Sequence, residues 1–448
     1  MMCKLVQTLV PRSMNAWSFR HRSYATLQPP RGMPDIPSES LRKNMLVERM
    51  AQDLAASFGY SPIETPLLEA TSLFTRCLGE TSDVVMKEMF TLDEGKLCLR
   101  PEGTAGVLRA FLNSPSSYND LPHRYFYSGS MFRYERPQKG RLRQFHQCGL
   151  EVIGTGSSVA DAEVIGITHA LFTQLSSQYA SFAWDLKINS LGDEDSRVAY
   201  QQLLRDFLWE QKEKLSPLSL ERLERGSILR ILDSKEVEDQ PLLRSADLPS
   251  LKDALTPASL QQHADVCGLL EEMQIPFVED SRLVRGLDYY SHTVFEFVDP
   301  LSGKAMAAGG RYDGLARLLQ NGRDISAVGC ALGIERIVLA FLSSSSVKIP
   351  LPFRIAVAAL DKASFSEAVG VAHRLRGGQL VRDIVKDKDC DHVAVIMHTE
   401  PISSLAKFLR RCTASVVVLV GEEEIAGQFV TWRDMEDRAQ KQIKWDDL

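Results

Sequence analysis

Two runs of alternating residues joined by a cation-rich turn constrain this chain more than any other feature of it. Tyr125-Phe126-Tyr127 and Met131-Phe132-Arg133-Tyr134 read as one β-strand, and residues 144–153 (QFHQCGLEVI) as a second that returns beside it. The turn at 136–143 is marked by Pro137 and Gly140 and carries Arg136, Lys139, Arg141 and Arg143. Side chains alternate across a sheet, so Arg133, Glu135, Gln147 and Glu151 are expected on one face. Ionisable groups gathered on a sheet face are costly to bury unless they hold a ligand. The cations suit a polyphosphate or a nucleic-acid backbone. Taken alone, the stretch also fits a solvated hairpin with a basic tip.

A chain of 448 residues has room for two or three domains and a large core. With 44% hydrophobic and 25% charged residues and a formal net charge of −6, it is an ordinary globular composition. A nucleic-acid partner would therefore have to be met by local basic patches, since bulk charge is unfavourable. No apolar run reaches the length of a bilayer, so no membrane partner is expected. The eight cysteines are scattered without a CxxC pair, which argues against structural zinc and against a disulfide framework. Cys390-Asp391-His392 comes nearest to a metal cluster and reads as a surface turn, so no protein-held metal is expected.

Residues 1–27 carry Lys4, Arg12, Arg20, Arg22 and several serines, and no acidic residue precedes Asp35. That composition marks a transit peptide and a mitochondrial matrix location, although a plastid address shares the pattern. A secretory signal fits less well, because no clean apolar core leads to a small-residue cleavage site. Met33 is a candidate second start for an untargeted, cytosolic form. A helix is predicted from about 39 to 57, with Leu41, Met45, Leu46, Leu54 and Phe58 as its apolar stripe and Gly59 as its cap. Residues 60–69 form a short strand broken by Pro66, hence an edge and a surface for a second copy of the chain.

Residues 96–104 run from a strand into a turn, placing Glu102 and Thr104 at the strand end, where ligand-facing groups commonly lie. Beyond the central pair come a helix over 158–178 and a strand over 183–189. Residues from about 192 to 277 read as a solvated helical insertion, interrupted at Ser216-Pro217 and Gln240-Pro241. The sheet resumes over 282–298, 306–319 and 327–342, with Glu335 and Arg336 opening an apolar helix. Residues 343–352 are a linker by composition, and 353–448 follow a βαβα pattern expected of a separate α/β domain. The expected organisation is a leader (1–27), a catalytic domain (28–345) that contains the insertion, and the domain at 353–448.

Five segments carry a resemblance to one family. Residues 58–69 (FGYSPIETPLLE) are similar to motif 1 of the class II aminoacyl-tRNA synthetases, 132–151 to motif 2, and 329–341 (GCALGIERIVLAF) to motif 3. Residues 283–297 (LVRGLDYYSHTVFEF) and 308–315 (AGGRYDGL) resemble the histidine-specific segments of the histidyl-tRNA synthetase family. The likeness spans residues 29–342 and is looser beyond. It implies an α+β fold: a class II catalytic domain with an antiparallel sheet flanked by helices, the helical insertion, and a C-terminal anticodon-binding-like α/β domain. Residues 385–401 depart from the family's anticodon-binding pattern, while 404–412 and 420–436 recover it.

The resemblance also implies what the chain works on: ATP with its Mg²⁺, L-histidine and tRNA(His), in a homodimer. It puts Arg133 on the α-phosphate, Arg141 and Arg336 toward the outer phosphates, Glu135 near the adenine amino group and Phe145 against the base. Arginine suits such posts because its planar fork donates to two oxygens and stays charged. Glu102 and Thr104 match the family's α-amino subsite. Gln147, Glu151, Tyr290 and Tyr312 match the groups around the amino group and the imidazole, and Tyr289 is expected to pack in the core. Arg136, Gln138 and Arg143 would meet the tRNA acceptor end. Arg285 matches the family's additional catalytic cation; its structural alternative is an ion pair with Asp288 or Glu296.

Two other readings use the same motifs: a synthetase-like paralogue that binds or regulates, such as the regulatory subunit of ATP phosphoribosyltransferase or a tRNA-sensing kinase domain, and a class II enzyme for proline, threonine or glycine. The full set of pocket residues opposes the first, and RGLDYY together with GGRYDG opposes the second. Arg285→Ala should abolish most amino-acid activation while ATP binding stays measurable by calorimetry. Unchanged turnover would mean that the arginine is structural.

Overall fold

In a computed structural model of the chain, the two alternating runs become ten-residue antiparallel strands, His123–Phe132 and Gln144–Ile153, with His123 opposite Ile153 and Phe132 opposite Gln144. The structure describes residues 27–79, 82, 84–114, 118–179, 182–232, 234, 236–245, 247–283, 289–319, 324–341, 353–387, 393–400 and 402–448. The leader, Arg285, the linker after 342 and the Cys390-Asp391-His392 cluster lie outside the described residues. Chain contacts divide residues 1–347 from 348–448.

The central pair belongs to an eight-stranded sheet. Its spatial order is Ser61–Pro62, His123–Phe132, Gln144–Ile153, Ala327–Gly333, Ala305–Arg311, Ser291–Val298, Asp185–Ser190, Val278–Glu279. The pairings at the two edges are parallel and the five between them antiparallel. Helices Ser38–Ser57, Ser158–Gln178 and Ile334–Phe341 pack on the 144–153 strand. They cover the face that carries His146, Cys148, Leu150 and Val152, and Phe145, Gln147, Gly149 and Glu151 rise from the other. A fully buried ion pair, Arg311 with Asp161, fastens the 305–311 strand to the first turn of the 158–178 helix. Carbonyls of Thr155 and Ser157 accept further bonds from the same guanidinium, so little of this charge is left uncompensated in the interior.

Three expectations change. The first strand ends at Phe132, short of Arg133 and Glu135, although both line the same cavity as Gln147. The Arg133 amide still donates to the Arg143 carbonyl, in step with the Phe132–Gln144 pair, and the chain turns away at Tyr134, whose amide donates to the Glu88 carbonyl. The helix at 38–57 buries Asn44, Val47, Ala51 and Ala55, while Leu41 and Met45 are 40% and 56% exposed. Its small-residue side lets it approach its neighbours closely, which turns the larger apolar side chains outward. The insertion, finally, is not merely solvated. Tyr200, Leu204, Leu208, Leu223, Ile228 and Ile231 are buried in the same core as Tyr127 and Tyr312.

Within the insertion, carboxylates tie helix starts together. Asp193 accepts from the Ser196 amide (2.8 Å) and the Thr256 hydroxyl (2.6 Å), joining the starts of Glu194–Glu210 and Pro257–Glu272. The second unit has a five-stranded sheet ordered Val393–Met397, Phe353–Ala359, Val416–Val420, Phe429–Asp434, Gln440–Lys444. Its first two pairings are parallel and its last two antiparallel. Among the described residues no helix is long and apolar enough to cross a membrane.

Candidate active site

A cavity of about 150 Å³ opens on the sheet face opposite those helices. Arg133, Glu135, Arg141, Phe145, Gln147 and Arg336 all line it. Small residues make the space: Ala307 and Ala308 on one strand, Ala331 and Gly333 on the next. The cations are held by backbone carbonyls. Arg133 Nε donates to Pro101 O (2.9 Å), with its guanidinium carbon 5.3 Å from the centre of the Phe145 ring. Arg336 donates from Nε to Gly140 O (3.2 Å) and from Nη1 to Ala305 O (2.8 Å), bridging the turn and the 305–311 strand. Guanidiniums and an aromatic face on one wall can take a phosphate chain and a stacked purine.

The turn contributes unevenly. Glu135 is buried and its carboxylate is paired with Arg141. Arg143 stacks over the Tyr134 ring at 3.8 Å and donates to Glu135 O. Arg136 and Gln138 are exposed.

At the inner end of this cavity, Gln147 leads along its strand to Glu151, two side chains further on the same face. Glu151 is almost fully buried. It accepts the Thr104 hydroxyl at 2.7 Å on Oε1 and the Tyr312 phenol on Oε2. Gly329 lies opposite, where any Cβ would overlap the Glu151 carboxylate, so glycine is required there. Burial pushes the Glu151 carboxyl up to about 8, against the lowering effect of the two hydroxyls. Glu102, also buried, accepts the amides of Thr104 (2.6 Å) and Ala105 (3.0 Å), and so caps the helix Thr104–Leu112. Burial raises its carboxyl too, opposed by those amides and by Arg133. Tyr290 and Tyr289 are both buried, their rings 4.8 Å apart, and Tyr289 also meets Tyr312 edge-on at 5.9 Å.

Of the residues singled out from sequence, the structure gathers Arg133, Glu135, Arg141, Phe145, Gln147 and Arg336 around the cavity. Thr104, Glu151 and Tyr312 join in one buried network beside it. Glu102 sits at the start of the same helix, with its carboxylate turned to backbone amides. Sequence reasoning missed three contributors. Glu335 lines the cavity and binds the His146 amide (2.9 and 3.1 Å) and its Nδ1 (3.2 Å), fixing the motif 3 helix to the strand that carries Phe145 and Gln147. Glu335 is foremost in raising the His146 imidazole, with Glu48 adding to it. No sequence signal links residues so far apart. His146 is the second, as the partner of Glu335, and Tyr127, buried on the same sheet face as Gln147, is the third, which strand alternation could have placed.

A profile of the family described as histidyl-tRNA synthetase matches residues 32–337. A histidine–tRNA ligase of Rhodospirillum rubrum is 42% identical over 424 residues, covering 94% of this chain and 97% of the relative. One from Streptococcus uberis is 35% identical over 433 residues, with 94% and 97% covered. Among solved structures, apo histidyl-tRNA synthetase of S. aureus superposes with a TM-score of 0.73 at 26% identity, over 94% of this chain and 98% of that one. A Bacillus halodurans protein described as an ATP phosphoribosyltransferase regulatory subunit/histidyl-tRNA synthetase gives 0.61 at 20% identity over 89% of this chain and 99% of that one, a likeness of fold alone. The chain therefore belongs to the histidyl-tRNA synthetase family of class II aminoacyl-tRNA synthetases.

Proposed function

We propose that the cavity and the buried network beside it divide the family's reaction between them. The chain is a histidine–tRNA ligase. It joins L-histidine to ATP, the histidine carboxylate attacking the α-phosphorus and pyrophosphate leaving. It then passes the histidyl group from the adenylate to a ribose hydroxyl at the 3′ end of tRNA(His), releasing AMP. In our reading Arg133 takes the α-phosphate, Arg141 and Arg336 the outer phosphates, and Phe145 and Glu135 the adenine. Glu102, Thr104, Gln147, Glu151, Tyr290 and Tyr312 take histidine, and Arg285 stabilises the charge that develops during attack. Arg136, Gln138 and Arg143 meet the acceptor end. One observation carries this division: Gln147 lines the arginine-walled cavity while Glu151, on the same strand face, holds the buried network. Two reactants bound at neighbouring positions on one rigid strand are held for in-line attack.

Mg²⁺ would come with the nucleotide. The carboxylates on the cavity wall are Glu135 and Glu335, engaged by Arg141 and His146, and no cage of metal-ligating side chains occurs among the described residues. Phosphate oxygens and water suit Mg²⁺ better than such a wall.

Two features of the chain support an assembly and an address. Leu41 and Met45 on the 38–57 helix are exposed, as are Phe58, Leu67 and Leu68, which flank in sequence the sheet-edge strand Ser61–Pro62. This favours a homodimer. The acid-free, arginine-bearing first 27 residues, which precede the family match at 32, favour mitochondrial import.

Pyrophosphate exchange by protein lacking residues 1–27 should occur with histidine alone among the amino acids. Exchange with none would favour a regulatory paralogue, and exchange with another would move the chain to a different specificity. Light scattering should give about twice the chain mass, and Met45→Asp should lower it; a monomeric parent rejects the dimer. A reporter fused behind residues 1–27 should enter mitochondria, and a cytosolic reporter would reject that address.

The buried Glu151 predicts a pH effect with a definite sign. Its folded pKa of about 8 exceeds the ordinary 4.5, so the folded protein holds a proton that the unfolded chain has lost. Stability should therefore fall as pH rises from 4.5 to 8, by on the order of a few kcal/mol. Denaturation curves of Glu151→Gln should show a weaker decline over that interval, and parallel curves would reject the assignment.

A further inference from the structure

Arg197 is a cation one turn into the helix Glu194–Glu210, close to the end where the helix dipole favours negative charge. The helix itself therefore gives no reason for it. Half-buried, its guanidinium reaches out of the insertion and donates from Nη1 to the backbone carbonyl of Tyr290 (3.1 Å). Tyr290 immediately precedes the strand Ser291–Val298, so its carbonyl stands outside the regular ladder.

The start of that strand is irregular. Arg311 pairs with Ser291 while its neighbour Gly310 pairs with Val294, which leaves His292 and Thr293 as extra residues against that partner. His292 takes a φ of 47°, a left-handed conformation that a side chain of this size holds only where its surroundings fix it. The chain entering the insertion does the fixing. The Leu191 amide donates to His292 O (2.6 Å), and the His292 amide donates to Gly192 O (2.8 Å). Asp193 comes next, and its bonds to Ser196 and Thr256 anchor this turn to two helices of the insertion.

The bulge aims Tyr290. A Cβ at Gly310 would come within 2.9 Å of its ring, so glycine leaves the space that the ring needs on the facing strand. The Tyr290 phenol belongs to the same buried group as those of Tyr127 and Tyr312, both of which feel its charge, and Tyr312 binds Glu151. Fixing the direction of a carbonyl fixes ψ of the residue that bears it, and the allowed side-chain rotamers follow the backbone. A bond to the Tyr290 carbonyl thus acts on where the phenol points.

We propose that Arg197 is a positioning residue for histidine binding: by holding the Tyr290 carbonyl it locks the bulged strand start that aims the Tyr290 phenol, and so ties the shape of the pocket to the seating of the helical insertion. The proposal rests on the reading of Tyr290 as part of the histidine pocket.

Pyrophosphate exchange is measured for the parent, Arg197→Ala, Tyr290→Phe and the double variant. Arg197→Ala should raise KM for histidine about tenfold, the effect of one lost hydrogen bond from a charged donor, with KM for ATP changed by less than about twofold. The unchanged ATP value also shows that the variant is folded. Arg197→Lys keeps a single donor and should show the same selectivity with a smaller loss; it takes the place of Arg197→Ala if that variant does not fold. Because Arg197 acts through Tyr290, the two losses should not add, and in the Tyr290→Phe background Arg197→Ala should cost about threefold or less. Equal loss for histidine and ATP, loss for neither, or full additivity with Tyr290→Phe overturns the proposal and leaves Arg197 a brace of the insertion. A Tyr290→Phe variant with the parent's KM for histidine would instead overturn the reading of Tyr290 as a pocket residue, and the proposal with it.

Discussion

The site depends on a carboxylate that three elements share. Glu151 stands on the 144–153 strand, accepts a hydroxyl from the start of the 104–112 helix, and accepts a phenol from the end of the 305–311 strand. Its partners are 47 and 161 residues away along the chain. Burying a carboxylate this deeply is unfavourable, and two hydroxyl donors offset only part of the cost, which is why its proton is held so tightly. Burial that disfavours this negative charge would cost a buried cation as well, so the pocket depends on its hydrogen-bonding groups. The groups around it hold the central strands and the 104–112 helix together.

The arginine-lined cavity is built on the opposite logic. There the cations sit on the wall of an open cavity and are oriented by carbonyl oxygens of Pro101, Gly140 and Ala305. Carbonyl oxygens fix the direction of the Arg133 and Arg336 guanidiniums. Arg141 is the contrast, since Glu135 engages it directly. The clamp of Glu335 on His146 then fixes the distance between the two halves of this wall, because one residue begins the helix that bears Arg336 and the other lies between Phe145 and Gln147.

Much of this was legible in the residues. Alternation over 144–153 gave a strand with those same bounds, and the motif likenesses gave the α+β class that the solved relatives share. The turn was readable from Pro137, Gly140 and its cations. What misled was the 38–57 helix, where the larger apolar residues suggested the buried side. Periodicity says that one face is apolar and not what covers it; Ala51 and Ala55 face the fold because small side chains permit close packing, and Leu41 and Met45 face outward. Alternation carried past Phe132 put Arg133 and Glu135 beside Gln147; the regular strand stops before them, and both still line the cavity with Gln147.

By itself the sequence determined which short segments form strands and helices and which residue types gather in each, because those follow from local periods of two and of about three and a half residues. It also determined the family, through motifs whose order along the chain can be read without any fold. Only the tertiary structure decided that Thr104, Glu151 and Tyr312 share one carboxylate, that Glu335 grips His146, and that Tyr127 is wedged between Gly103 and Gly149. Such pairings join residues tens to hundreds of positions apart. No local period encodes them, and they arise only when the strands take their order in the sheet.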